Sequence, residues 1–134
     1  MSAMSTYLEN ALVNHVLRNT AYTSPGTTVY VGLIKYYDAA VVEAGTLTQE
    51  ASGGSYARVQ VTAWDAASNG ATQNTGAITF PTATGDWGGI SGVIISDHAS
   101  AGNVLLHGSL TSARDVKNGD VFKFNAGDLD VTFA

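Results

Sequence analysis

The hydrophobic pattern of the chain changes its period once. Over residues 6 to 18, Leu8, Ala11, Leu12 and Val16 recur at helical spacing, Val13 and Leu17 widen the apolar arc, and Asn10, Asn14 and Arg18 form a polar stripe. This predicts an amphipathic helix over 6–19. Thr6 followed three residues later by Glu9 has the form of a capping box, which satisfies otherwise unpaired N–H groups of a first helical turn. Ser24-Pro25-Gly26 then marks a turn, because the residue before a proline is pushed out of the helical region. From residue 28 onward the period is two. Residues 28 to 36 set Val29, Val31 and Leu33 against Tyr30, Gly32 and Ile34, and residues 56 to 64 set Ala57, Val59, Val61 and Ala63 against Arg58, Gln60 and Thr62. Further strand-like runs cover 77–80, 90–96, 104–110, 121–124 and 129–133, separated by turns such as Ser68-Asn69-Gly70 and Asn118-Gly119-Asp120. About seven short strands with no helical pattern between them predict a mainly β chain. The expected architecture is an antiparallel β-sandwich, jelly-roll or immunoglobulin-like, with one N-terminal helix, forming a single domain over 1–134. The 90–95 run alternates least and is the expected central strand. Residues 37–55 form a connection longer than ordinary loops, with 39–42 a candidate for a turn of helix or a short extra strand.

Composition narrows the chemistry. At 134 residues the chain has the size of one domain, and it contains no cysteine, which removes disulfide frameworks, thiolate metal sites and cysteine nucleophiles. Six basic against eleven acidic residues give a net charge of −5, opposite to what a phosphate-binding surface needs, so no nucleic-acid partner is expected. No apolar run is long enough for a membrane-spanning helix, and the opening residues have neither the basic nor the apolar segment of a secretion signal. Charged residues are only 13% of the chain, well below the usual quarter or so, so the surface is expected to be built from Ser, Thr, Asn, Gly and Ala.

Candidate chemical groups are few. Ser96-Asp97-His98 contains triad residue types, yet on a strand Asp97 points opposite to its two neighbours. His15, His98 and His107 share no metal-ligand spacing. Asp128 and Asp130 alternate with Leu129 and Val131 as the outer face of a strand would, although two carboxylates on one face also suit a glycan-hydrolysing or carbohydrate-binding module, with Trp64 and Trp87 as stacking platforms. No phosphate-loop, nucleophile-elbow or zinc-protease motif occurs. The expectation is a protein that is not an enzyme and has no catalytic, metal or cofactor residue. Contact with partners is expected instead from Tyr30, Ile34, Tyr36 and Tyr37 on and beside one strand face, Val41 and Val42 in the long connection, Arg58 on an outer strand face, and Trp64 and Trp87 beside turns.

Several strings in order resemble a family of small tailed-bacteriophage virion proteins, variously tail-fibre-like or capsid-decorating. They are Tyr7-Leu8-Glu9-Asn10, Asn19-Thr20-Ala21-Tyr22, Val29-Tyr30-Val31-Gly32-Leu33, Gly53-Gly54-Ser55-Tyr56-Ala57-Arg58-Val59, Ile78-Thr79-Phe80-Pro81, Ala83-Thr84-Gly85-Asp86-Trp87-Gly88 and Asn103-Val104-Leu105-Leu106-His107-Gly108-Ser109-Leu110, with Asn118-Gly119-Asp120 and Phe124 after them. The resemblance spans nearly the whole chain and departs most at 38–48. It implies a virion structural protein made in the host bacterial cytoplasm, with other virion proteins as partners, either the major capsid protein or tail proteins. Because the chain has no heptad, collagen-like or repeat pattern from which to build a shaft, a capsid decoration or cement protein is the leading expectation. Such a protein would bind the outer surface of the assembled head as a homo-oligomer such as a trimer. A tail, baseplate or fibre-associated protein acting in host attachment is the alternative.

Overall fold

A computed structural model of the chain describes residues 3–26 and 29–133. Its strands are β1 (Ala3–Met4), β2 (Tyr30–Lys35), β3 (Val59–Gln60), β4 (Ala71–Gln73), β5 (Ile78–Thr79), β6 (Gly88–Ser96), β7 (Val104–Val116), β8 (Lys123–Phe124) and β9 (Asp130–Thr132), and its helices are α1 (Thr6–Leu17) and α2 (Ala39–Glu43). The fold is mainly β and antiparallel. One five-stranded sheet runs in the order β1-β7-β6-β2-β3, and two ribbons, β4-β9 and β5-β8, form the opposing layer.

The run that alternates least, now β6, lies in the middle of the large sheet, paired with β2 on one side and β7 on the other. Its pattern follows from burial on both faces. Val93 and Ile95 join Val31, Leu33 and Leu106 in the main core, against Phe80, Trp87, Phe122, Phe124, Leu129 and Val131 from the opposing layer. Ile94 faces the other way, into a second core with Ile34, Val42 and Val104, partly covered by Tyr37 and Leu47. The main core is rich in rings: Phe80, Phe122 and Phe124 meet edge to face at centroid distances of 5.2 to 6.4 Å, and Tyr56 stands edge-on to Trp87 at 5.3 Å.

The sheet face carrying Tyr30, Gly32 and Ile34 is covered by a strap, residues 37–51, and not by the N-terminal helix. The candidate turn at 39–42 is the helix α2, capped by the Asp38 carboxylate, which accepts from Ala40 N at 3.0 Å. The helix α1 lies instead at one end of the main core, where Leu8 is buried and Leu12 half-buried. Its cap is Ser5 rather than Thr6. The Ser5 backbone is extended, its hydroxyl accepts from Leu8 N at 3.2 Å and donates to the Val104 carbonyl, and its own N–H bonds Leu105 O. One side chain thus starts the helix and fastens it to β7, which the spacing of Thr6 and Glu9 does not reveal.

Three other expectations change. The run 56–64 forms a strand only over Val59–Gln60, with an isolated antiparallel bridge from Trp64 to Asn74, and Tyr56 and Arg58 turn into the interior. The strand expected at 104–110 continues to Val116, with irregular register where Gly92 and Ile90 face Ser109 and Arg114. The short strands β1 and β4 have too few residues to show any alternation. Thr28, the first residue of the run 28–36, lies outside the described residues.

Gly92 is where the strap meets the sheet. A Cβ there would fall 2.5 Å from Tyr37 Cδ2 and 2.7 Å from Tyr37 Cβ, so the absence of a side chain is what lets the Tyr37 ring lie on β6. Tyr37 N donates to Ser91 Oγ at 2.7 Å beside it. Gly92→Ala is expected to lower unfolding free energy by about 1–3 kcal/mol, the range for overpacking, and to expose 37–51 to limited proteolysis; urea denaturation and digestion mapping check both.

Candidate functional site

Among the described residues, two groups of exposed apolar side chains stand beside hollows of the surface. The first is on α1. Val13, Val16 and Leu17 are 54, 72 and 78% exposed, and Val16 and Leu17 lie three and four residues after Val13, one turn along the helix. Beside them, Leu8 and Leu12 form part of the wall of an apolar pocket of about 250 Å³, completed by Tyr22, Val29, Trp64, Ile95, Leu105, Val131 and Phe133. The second lies on the strap. Tyr36 takes a left-handed backbone (φ 47°) at the end of β2, which turns its ring outward to 74% exposure, and Val41 of α2 shares a shallow hollow with it. A third concavity, of about 340 Å³, is polar: Ser109, Thr111, Ser112 and Arg114 face Lys123, Asp128 and Asp130 across a floor formed with Phe122 and Phe124.

The residues singled out in the sequence divide between surface and interior. Tyr36 and Val41 stand on the strap surface, Trp64 is half-buried in the wall of the apolar pocket, and Tyr30 is half-buried on β2. Tyr37 is half-buried, its hydroxyl 2.7 Å from His107 Nδ1. Ile34 and Val42 are sealed in the second core. Trp87 is 1% exposed and its indole N–H donates to Gly54 O at 2.9 Å. That contact explains Gly53-Gly54: Gly54 has φ +51° and a Cβ there would meet the Gly85 backbone at 2.8 Å. Ile34, Val42, Trp87 and Arg58 are therefore interior residues, and the placing of Arg58 on an outer face is corrected.

Arg58 is the buried ionic centre of the fold. Its Nε and Nη2 form a bidentate pair with Glu50 at 2.6 and 2.8 Å, while Nη1 donates to Ser96 Oγ (3.0 Å), His98 O (2.8 Å) and Ala101 O (2.9 Å). Burial is the largest influence on the guanidinium and opposes its charge, but the Glu50 carboxylate outweighs it and raises the pKa. Burial, reinforced by Glu50, also pushes the Tyr56 phenol well above its usual range. Tyr56 therefore keeps its proton and donates it to Glu50 Oε2, while accepting from Leu33 N at 2.9 Å on the part of β2 that β3 leaves unpaired.

The string 96–98 forms a turn anchor. Ser96 Oγ donates to Asn103 O and accepts from Arg58, and Asp97 accepts from Asn103 N and Nδ2 and pairs with His98 Nδ1. Burial disfavours ionised Asp97, but these hydrogen bonds prevail and hold its carboxyl below the usual range. Asp128 accepts from Asn125 N inside a turn, whereas Asp130 begins β9, so the two do not share one strand face. His15 Nδ1 accepts from Tyr22 N, which ties the segment after the helix back onto it.

The strand order, the single N-terminal helix and the tightly packed polar anchors fit a structural protein, and the comparison with known families decides which. The family described as "Podophage GP4 fiber I protein gp80" matches residues 3–132. The chain belongs to this Gp80 family. It is a phage virion structural protein of the tail-fibre-like kind, as the ordered strings in the sequence imply. No curated protein matches it. Membership of the Gp80 family means that contacts with other virion proteins are part of its role. Sequence reasoning named Tyr36 and Val41 but not the ridge Val13, Val16 and Leu17. The signal was present in the apolar arc, which is wider than one core-facing stripe requires.

Two measurements follow from the buried groups. Arg58→Met leaves the half-buried Glu50 carboxylate with only the Tyr56 hydroxyl and frees the acceptors Ser96, His98 O and Ala101 O, so a loss of up to about 3–5 kcal/mol is expected, visible in denaturant unfolding; Arg58→Met combined with Glu50→Leu is expected to recover part of it. For His107, burial lowers the imidazole pKa, and the carboxylates of Glu43 on α2 and Glu9 on α1 offset this only in part. The unfolded chain then takes up the proton first, so the stability that depends on neutral His107 is complete above a pH of about 6.5 and is lost as pH falls below it. The stability difference between wild type and His107→Gln should therefore shrink from pH 7 to pH 5 in urea titrations; a constant difference would remove His107 as the acid-sensitive group.

Proposed function

We propose that this chain is a non-enzymatic, fibre-associated subunit of a podophage virion, which joins other virion proteins through its exposed apolar surfaces. The observation that carries this reading is the Gp80 family match over residues 3–132, because the family's own description is that of a fibre protein. The architecture supports it physically. Bonding capacity is spent on holding loops to the sheet through Arg58, Ser5 and Trp87, while Val16, Leu17 and Tyr36 are left in solvent. A single unit without shaft-forming repeats acts as a module on, or between, larger fibre parts.

Capsid decoration is the second reading, favoured by the net charge of −5 and the lack of any shaft pattern. A protein on the outside of the head would stabilise the assembled lattice by binding it selectively. Copy number and position separate the two. Cryo-electron microscopy of the intact particle, with quantitative mass spectrometry, is expected to show few copies confined to the tail and its fibres. Copies in the hundreds, in register with the head lattice, would replace the fibre reading with decoration.

A further inference from the structure

The strap 37–51 is held to the sheet by different means at its two ends. Over 49–51 it is clasped by backbone and charge: Lys35 N donates to Gln49 O at 2.7 Å, Ala51 N donates to Leu33 O at 2.9 Å, and Glu50 is paired with Arg58. Over 37–43 it rests on side chains. Tyr37 N donates to Ser91 Oγ, Val42 enters the second core, and the Tyr37 hydroxyl meets His107 Nδ1 at 2.7 Å. The helix α2 has five residues, far fewer than a helix needs to persist alone in water. This half of the strap therefore stays down only while its side-chain contacts hold.

His107 is the contact among them that acid can break. It is 2% exposed and lies directly opposite Ile94 of β6, so its ring shares the face that the strap covers. Its Nε2 is buried and finds no hydrogen-bond partner among the described residues. Tyr37 serves a neutral imidazole in either tautomer, since the phenol donates to a bare Nδ1 or accepts from a protonated one. An imidazolium carries a second, charged N–H at Nε2, and a buried charged donor without an acceptor costs far more than a neutral one. The groups packed round the ring supply no acceptor. Glu43 of α2 and Glu9 of α1 act on it through space without bonding it, Asp38 of the strap caps α2, and the residues paired with it, Ala3 of β1 and Ile94 of β6, are uncharged.

We infer that His107 is an acid-operated latch: on taking up a proton it releases residues 37–47 from the sheet, while 49–51 stay clasped, and so uncovers Ile34, Ile94 and Val104. The direction follows from where the ring meets water. Once the strap lifts, both ring nitrogens are hydrated and His107 regains an ordinary proton affinity, so acid favours the lifted state; burial lowers the proton affinity of the covered ring, as this requires. The closed strap is fully favoured above a pH of about 6.5 and loses ground as the pH falls below it. The latch is internal to the chain and stands whether the chain sits on the fibre or on the head.

Hydrogen–deuterium exchange of the purified full chain at pH 7.5 and 5.0, corrected for intrinsic rates, tests this. The amides of Tyr37, Val42, Gly45 and Thr46 are donors in the closed strap. Their opening constant is expected to rise severalfold on acidification, with a ceiling of about thirtyfold for one group of ordinary pKa near 6.5, while Ala51 and β6 stay far better protected. His107→Gln, which bonds Tyr37 without titrating, is expected to abolish the rise. If that variant loses the wild-type thermal transition, the ring shifts of His107 in wild-type protein, read by NMR, take its place and should report protonation together with opening. Glu43→Gln is expected to keep the rise, because this carboxylate favours the covered imidazolium and so opposes release. Strap opening that ignores pH, strap amides that exchange only together with Ala51 and β6, a rise retained in His107→Gln or lost in Glu43→Gln, or a ring protonated beneath a closed strap would each overturn the inference.

Discussion

A guanidinium buried between a strand and two loops must be neutralised and hydrogen-bonded at once, and that requirement organises much of this fold. Arg58 draws Glu50 from the end of the strap, Ser96 from the end of β6, and the carbonyls of His98 and Ala101 from the β6–β7 turn to one point. Apart from Ser96, each partner comes from a segment with little regular pairing of its own. The hydrocarbon cores alone would collapse the chain, since apolar burial is nondirectional. The ion pair instead requires one relative placement of strap, strand and turn, because any shift leaves a buried charge without its partner.

The central sheet adds a second constraint. A sheet apolar on both faces needs two covers, and a chain of this length has few elements to supply them. The main face takes the ribbons, the ring cluster and α1; the other takes only α2 and irregular chain. Irregular chain covers a sheet well only if it approaches closely. Glycines on the sheet make that possible: Gly92 receives Tyr37, and Gly32 lies within contact of Tyr56 and Glu50. The His107 imidazole bonds Tyr37 from beneath, so the strap is held by a neutral polar contact at one end and by the Arg58–Glu50 pair at the other.

How much of this was legible depends on the range of the interaction responsible. Helix and strand periodicities report burial of nearby side chains, so α1, β2 and the central position of β6 could be read from spacing. Arg58 could not. Alternation made it an outer-face residue, and its burial results from Glu50, Ser96 and a turn about forty residues away. Trp87 and Ile34, expected among the partner-contact residues, are buried because the loops and the short helix α2 that cover them have no periodic signature. Ser5 escaped because its carbonyl partner, Val104, lies 99 residues along the chain. Among the exposed apolar residues, Tyr36 was legible as a large side chain at a strand end, while Val13, Val16 and Leu17 were absorbed into the helix's core-facing arc.

The helix itself links architecture to role. Twelve residues form a helix that would be marginal alone in water, so α1 depends on what it touches. Inside this chain it touches little: Leu8 is its one buried residue, with Leu12 half-covered and Ser5 fastening the start. Its C-terminal turns are held mainly by their own backbone bonds and by the Tyr22–His15 contact. The part of α1 least supported from within is also the part that carries Val13, Val16 and Leu17, so covering that ridge would order the helix end and remove its exposed hydrocarbon in one step. A sheet locked by an internal ion pair and a helix end with little support from its own chain divide the molecule into a firmly anchored body and a less supported flank.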